Sequence, residues 1–236
     1  MAPGVKSNFQ KDCVNSPLTI FFDVGNTLLF PGAGIFAPLH ERKLTPSRDL
    51  WHSIERRTKR EFDSAMRDGA NPVFWQIFYT HLLQELDAQD DPLREALVNA
   101  THLSANWNHI VPGTREILER LGQRFQLAVI SNADGKVAGV LERSGIADCF
   151  IAVTDSGVVG CEKPHPAIFE TALEGLGVAP DRSLYVGDIL SVDYLGATGA
   201  GMQSVLLDVC GAYRESELPR VQSLEELEYG IEMLTK

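Results

Sequence analysis

The sequence predicts an α/β protein: a parallel sheet covered by helices on both faces, with a helical domain inserted near its start. Three observations carry this. From Val111 onward short apolar runs alternate with helix-length segments, the pattern of strands joined by right-handed crossovers. Two apolar runs, Leu18-Thr19-Ile20-Phe21-Phe22 and Ser183-Leu184-Tyr185-Val186, lead into carboxylates far apart in sequence, Asp23 and Asp188. Between them, residues 35–107 have the texture of helix.

Residues 1–16 contain no continuous apolar stretch and are expected to form a loosely docked extension. The core is expected to span residues 17–34 and 108–236, and the helical domain residues 35–107. After the first strand, Thr27 to Gly34 is rich in Gly and Pro and marks the exit from the sheet. Trp51, Ile54 and Phe62 form one apolar stripe, and Phe74, Ile77, Phe78, Leu82 and Leu86 a stronger one at helical spacing. Asn71-Pro72 reads as a cap followed by proline at the first helical position, so two antiparallel helices are expected, joined near Asp68-Gly69-Ala70. The basic run Arg56-Arg57-Thr58-Lys59-Arg60, flanked by Glu55 and Glu61, reads as a solvated helix face. Farther on, helices are expected from Pro112-Gly113-Thr114 to Gly122, Lys136 to Ser144, Pro166 to Gly177 and Ser223 to Leu234. Strands are expected at Gln126 to Ile130, Phe150 to Val153, Ser183 to Val186 and Ser204 to Leu207.

Composition narrows the function. At 236 residues and 44% apolar content the chain suffices for one good core and an insertion. Its formal charge of -11 argues against nucleic acid as a partner, because phosphate backbones are gripped by clustered Lys and Arg. Cys13, Cys149, Cys161 and Cys210 are scattered, without metal-site spacing, so a reducing cytoplasm is the expected setting. No stretch approaches the apolar length of a membrane span.

Polar residues follow four expected strands or loops: Asp23, then Ser131-Asn132, then Lys163, then Asp188 with Asp193. Ligands of open parallel sheets bind outside the carboxyl ends of the strands, so these groups are candidates for one site in which acids share a divalent cation and face a phosphate. Singly, each is more often a turn, cap or surface residue.

Four segments together, Phe22-Asp23-Val24-Gly25-Asn26-Thr27-Leu28, Ile130-Ser131-Asn132, Lys163-Pro164-His165-Pro166-Ala167-Ile168-Phe169 and Gly187-Asp188 through Asp193, resemble the motifs of the haloacid dehalogenase superfamily. The resemblance covers all but about the first sixteen residues. It implies a Rossmann-like core and a C1-type helical cap. It also implies hydrolysis of a small phosphorylated molecule, with Asp23 as nucleophile and an aspartyl phosphate intermediate. Mg2+ would be held by Asp23, the backbone carbonyl of Gly25 and Asp188, with Asp193 in support. Ser131 would bind the phosphate beside Asn132, Lys163 would bridge phosphate and Asp23, and Thr27 would hold the first loop.

The chain departs from the phosphatases of that superfamily at Gly25, where they carry a second aspartate that protonates the leaving group. Loss of general acid assistance is worth roughly a hundredfold to ten-thousandfold. Weak activity, or activity restricted to good leaving groups, is therefore expected. Substitute donors would have to come from His40, Glu41 or His52. Other readings remain open: a binding or regulatory protein without turnover, a dehalogenase, a phosphonate-cleaving hydrolase using Lys43 or Lys59, and a receiver-type phosphoacceptor domain.

Overall fold

The computed structural model describes residues 19–234; the expected extension at 1–16 lies outside them. In chain order the elements are β1 (Thr19–Phe22), β2 (Phe30–Pro31), α1 (Ala33–Glu41), α2 (Arg48–Arg67), α3 (Phe74–Glu85), α4 (Asp91–His102) and β3 (Trp107–His109). There follow α5 (Thr114–Gly122), β4 (Gln126–Ser131), α6 (Val137–Arg143), β5 (Ala152–Asp155), α7 (Ser156–Val159), α8 (Pro166–Leu176) and β6 (Ser183–Gly187). A helical turn at Leu190–Tyr194, α9 (Leu195–Gly199), β7 (Gln203–Leu207), β8 (Arg220–Val221) and α10 (Leu224–Leu234) follow to the end of the described residues.

Six strands form one sheet in the order β5-β4-β1-β6-β7-β8, every pair parallel. β1 is central, and all four of its residues are buried, as a strand covered on both faces requires. One face packs on Ile20, Phe22, Leu127, Val129, Leu184 and Val186 with α5 and α6. Phe21, Ala128, Ile130 and Tyr185 pack on the other with Ile168, Phe169 and Leu173 of α8. The alternation of β1 side chains between two clusters is the two-residue period of a strand realised in a two-sided core.

α1 to α4 leave the sheet through β2 and return through β3, which pair antiparallel. They gather around a separate cluster in which Phe78, Tyr79, Leu82 and Leu97 are fully covered. Phe62 of α2 meets Phe74 of α3 edge to face with ring centroids 5.5 Å apart, the contact anticipated for the helix pair. The helix starts explain themselves locally. Ser47 Oγ accepts the Leu50 amide at 3.1 Å, and Asp90 caps α4 by accepting the Leu93 amide at 2.9 Å, each satisfying a donor the helix itself leaves unpaired. No helix among the described residues is long and apolar enough to cross a membrane.

Three expectations are corrected. The first residue of α3 is Phe74, with Val73 as its cap residue; Asn71-Pro72 stays outside the helix and lines the cavity described below. β5 begins at Ala152 rather than Phe150, because Phe150 caps a short helical turn. The basic run of α2 is not uniformly solvated: Glu55 and Lys59 are 5% and 1% exposed. Their helix face packs against the segment after β6, where the charges find partners, so helical spacing of opposite charges did not mean exposure.

Removing a fully packed ring leaves a cavity whose cost adds to the lost transfer energy. Phe78→Ala should therefore lower stability by about 3–5 kcal/mol, read as a shift of the urea midpoint.

Candidate active site

Sheet order decides where the site forms. The chain runs from β1 outward through β4 to β5, then returns to β6 on the other side of β1. That reversal opens a crevice at the carboxyl ends of β1, β4 and β6. Phe22 is level with Val129 of β4 and Val186 of β6, so the next residues, Asp23, Ile130-Ser131 and Gly187-Asp188, share one edge. The Asp23 amide extends the ladder by donating to Val186 O at 2.8 Å. The chain then folds back: Leu28 N and Leu29 N both donate to Val24 O at 2.9 Å, and Asn26 takes a left-handed φ of 55°.

Lys163, delivered by the loop before α8, is the hub. Its ammonium donates to Asp23 Oδ1 at 2.6 Å, Asp193 Oδ1 at 2.7 Å and Tyr185 Oη at 2.7 Å. All four groups are buried. Burial alone would lower the lysine pKa, but Asp193 and Asp23 outweigh it and raise it above the ordinary value. For Asp23 burial dominates over Lys163, and its pKa is raised to about 6. Thr27 Oγ1 stands 3.4 Å from Asp23 Oδ2. The Asn132 side chain is engaged on the backbone: its Nδ2 donates to Lys163 O at 2.9 Å and its Oδ1 accepts from Lys163 N at 2.7 Å. Asn132 thus orients the lysine loop.

Asp193 organises the segment after β6. Its Oδ2 accepts from the amides of Asp188 at 3.2 Å and Ile189 at 3.0 Å. The approach is close enough that a Cβ on Gly187 would lie 2.5 Å from the Asp193 carboxyl carbon, so only glycine fits there. Asp188 is 4% exposed, and burial raises its pKa to about 7 against the opposing pull of Lys59. Lys59 Nζ lies 2.8 Å from Asp188 Oδ2, yet that oxygen has no donor in hydrogen-bond alignment. Asp23, Asp188 and Asp193 each offer an oxygen within 4.8 Å of the others. A hard, all-carboxylate donor set with an incompletely satisfied oxygen fits an oxygen-seeking divalent cation.

A cavity of about 580 Å³ opens on these groups, lined by Asp23, Gly25, Ser131, Lys163 and Asp188 on the sheet side and by Phe62, Met66, Phe74, Trp75 and Trp107 opposite. Gly25 is not among the glycines with positive φ, so its conformation is open to other residues. A Cβ there would meet the Trp107 ring at 3.5 Å, an ordinary contact. Trp107 is fixed by its Nε1 donating to Thr101 O at 2.8 Å and by Trp75, 5.6 Å away between centroids. His40, Glu41 and His52 do not line this cavity, whereas His102 and Glu162 do.

Sequence reasoning missed Asp155, Tyr185, Trp107 and the contact of Lys59 with Asp188. Asp155 accepts the amides of Gly135 at 3.0 Å, Val137 at 3.1 Å and Gly157 at 3.0 Å. It thereby pins the loop that carries Ser131-Asn132. Its place at the end of an apolar run was a signal; the other three carry no local mark.

A family model of haloacid dehalogenase-like hydrolases matches residues 18–201. The chain belongs to that family and is a hydrolase of its α/β fold. It is 35% identical over 198 residues to a glyceraldehyde 3-phosphate phosphatase of Methanothermobacter thermautotrophicus, covering 80% of this chain and 84% of that one. It is 34% identical over 155 residues to the pyrimidine 5'-nucleotidase YjjG of Escherichia coli, covering 61% and 65%. In structure it resembles the magnesium-bound HAD-hydrolase YfnB of Bacillus subtilis, with a TM-score of 0.66 at 18% identity over 91% of this chain and 98% of that one, a likeness of fold.

Hydrogen bonds to a charged group are worth about 1.5–3 kcal/mol each. Asp155→Ala should lower stability by about 2–4 kcal/mol, with faster hydrogen exchange at the Gly135, Val137 and Gly157 amides as the specific check.

Proposed function

We propose that the chain is a divalent-cation-dependent phosphatase, with Mg2+ as the physiological cation, acting on a small phosphorylated metabolite through an aspartyl phosphate on Asp23. The observation that carries this is Asp23 itself: a buried carboxylate at the end of the central strand, 2.6 Å from Lys163 and grouped with Asp188 and Asp193. The names of the two relatives, both phosphomonoester hydrolases, support the same class.

In this reading Asp23 attacks phosphorus in line; the phosphorus–oxygen bond to the leaving group breaks, and water later cleaves the acyl phosphate, regenerating the carboxylate. Asp23, Asp188 and, through its hold on the loop, Asp193 would bind the cation, with the Gly25 carbonyl as a further ligand. The bound cation supplies charge neutralisation between carboxylate and phosphate. Lys163 holds Asp23 in one rotamer and adds positive charge for the equatorial oxygens. Ser131 donates its hydroxyl to the phosphate. The four-helix insertion acts as the cap, and its aromatic residues close the cavity against water. Cys149, Cys161 and Cys210 are free thiols, in keeping with a reducing, cytoplasmic setting.

At Gly25 no acid stands beside the nucleophile to protonate a departing alkoxide, so substrates whose leaving group is stable as an anion are favoured. Retention of the cation site in the absence of that acid also fits a second reading, phosphate binding with slow turnover.

Phosphate release from acetyl phosphate and an aryl phosphate should require Mg2+, and Asp23→Asn should reduce it below detection while circular dichroism stays unchanged. Release that survives in Asp23→Asn would remove the nucleophile from this account. Gly25→Asp is compatible with the local backbone, and it should raise kcat on alkyl phosphates by roughly a hundredfold. If the Trp107 indole holds the new carboxylate away, Gly25→Asp/Trp107→Phe should release the gain. A folded pair of variants without any gain counts against the missing-acid account.

A further inference from the structure

The helical insertion places a buried cation against the very carboxylate that the proposed function assigns to Mg2+. Lys59 of α2 is 1% exposed, and its ammonium lies 2.8 Å from Glu55, one helical turn earlier, and 2.8 Å from Asp188 Oδ2. The neighbouring charged positions on the same helix also grip the core. Asp63 accepts from Ser191 N at 3.0 Å, Ser191 Oγ at 2.6 Å and Tyr213 Oη at 2.8 Å, and Arg56 donates to Cys210 O at 2.9 Å. Residues before and after Lys59 on α2 therefore fasten its stretch of helix over the segment that follows β6.

We propose that Lys59 is a positioning residue that competes with the divalent cation for Asp188, so that cation entry and release of the Lys59 contact are two sides of one equilibrium. The inference rests on the cation site of the proposed function. Lys59 is absent from the cavity lining, so it acts through Asp188 rather than on substrate. Its ammonium satisfies the charge of Asp188 without an aligned hydrogen bond, which leaves the contact exchangeable for a better ligand. Glu55 gives the displaced ammonium somewhere to stay, since that pair lies within α2 and does not need Asp188. Two like charges sharing one carboxylate oppose each other strongly in a water-poor site, and linkage makes the effect reciprocal: whatever weakens the Lys59 contact tightens the cation, and the cation weakens the contact.

The test is Mg2+ affinity measured by calorimetry on the full chain without substrate. Lys59→Met should bind Mg2+ roughly tenfold more tightly or better. Glu55→Gln/Lys59→Met, which removes the carboxylate that the single variant leaves buried and unpaired, should move the same way by less. Arg57→Met, a charge lost from the exposed side of the same helix, should stay within about twofold. Unchanged or weaker affinity in a folded Lys59 variant overturns the proposal. Mg2+ binding with no phosphate release would remove the phosphatase reading and leave this one standing, whereas no binding to wild type or variants removes both.

Discussion

Three carboxylates, Asp23, Asp188 and Asp193, are buried at one edge of the sheet, 7%, 4% and 2% exposed. Such a group is stable only with compensating charge, because desolvation of each ion costs several kcal/mol. Lys163 is the main answer, bonded at once to Asp23, Asp193 and Tyr185. Much else in the core follows from keeping that ammonium in place. Asn132 clasps its backbone from both sides, Asp193 ties it to the segment after β6, and Tyr185 reaches it from the middle of a buried strand. The ion cluster is thus also the joint between the two halves of the sheet on either side of β1.

Most of this was legible in the sequence. Apolar runs ending in polar residues fixed the strands, and the four polar segments were expected at one edge because a parallel sheet presents its strand ends together. β1, β4, β6 and β7 fall within a residue of expectation, as do α5, α8 and α10. These are elements whose own pattern of burial determines them.

What failed to show in the sequence depends on tertiary partners. Lys59 follows Glu55 by four residues, the spacing of an exposed helical pair, and only the docking of α2 on the segment after β6 turns that pair inward. Asn71-Pro72 has the residues of a helix start, yet Val73 occupies the cap position while Asn71 and Pro72 face the cavity. Asn132 lines the cavity beside Ser131, and the grip of its side-chain amide on both the N–H and the C=O of Lys163 had no mark in the sequence. Nor does Gly25 occupy a backbone conformation that only glycine tolerates: the left-handed residue of that loop is its neighbour Asn26.

That last point changes the meaning of Gly25. A glycine required by backbone geometry says nothing about chemistry, whereas a glycine in an ordinary conformation is a choice of side chain. What occupies the space beside it is the Trp107 indole, fixed by Thr101 and Trp75. An aromatic ring lowers the local dielectric, and it offers no proton. On the proposed mechanism the burden of stabilising the departing group then moves to that group itself, while the charge on phosphorus is met by Lys163 and the cation. On the competition proposed for Lys59, the cation in turn contends with that ammonium for Asp188. On that reading Gly25 and Lys59 both act on the charge of the site rather than on its shape.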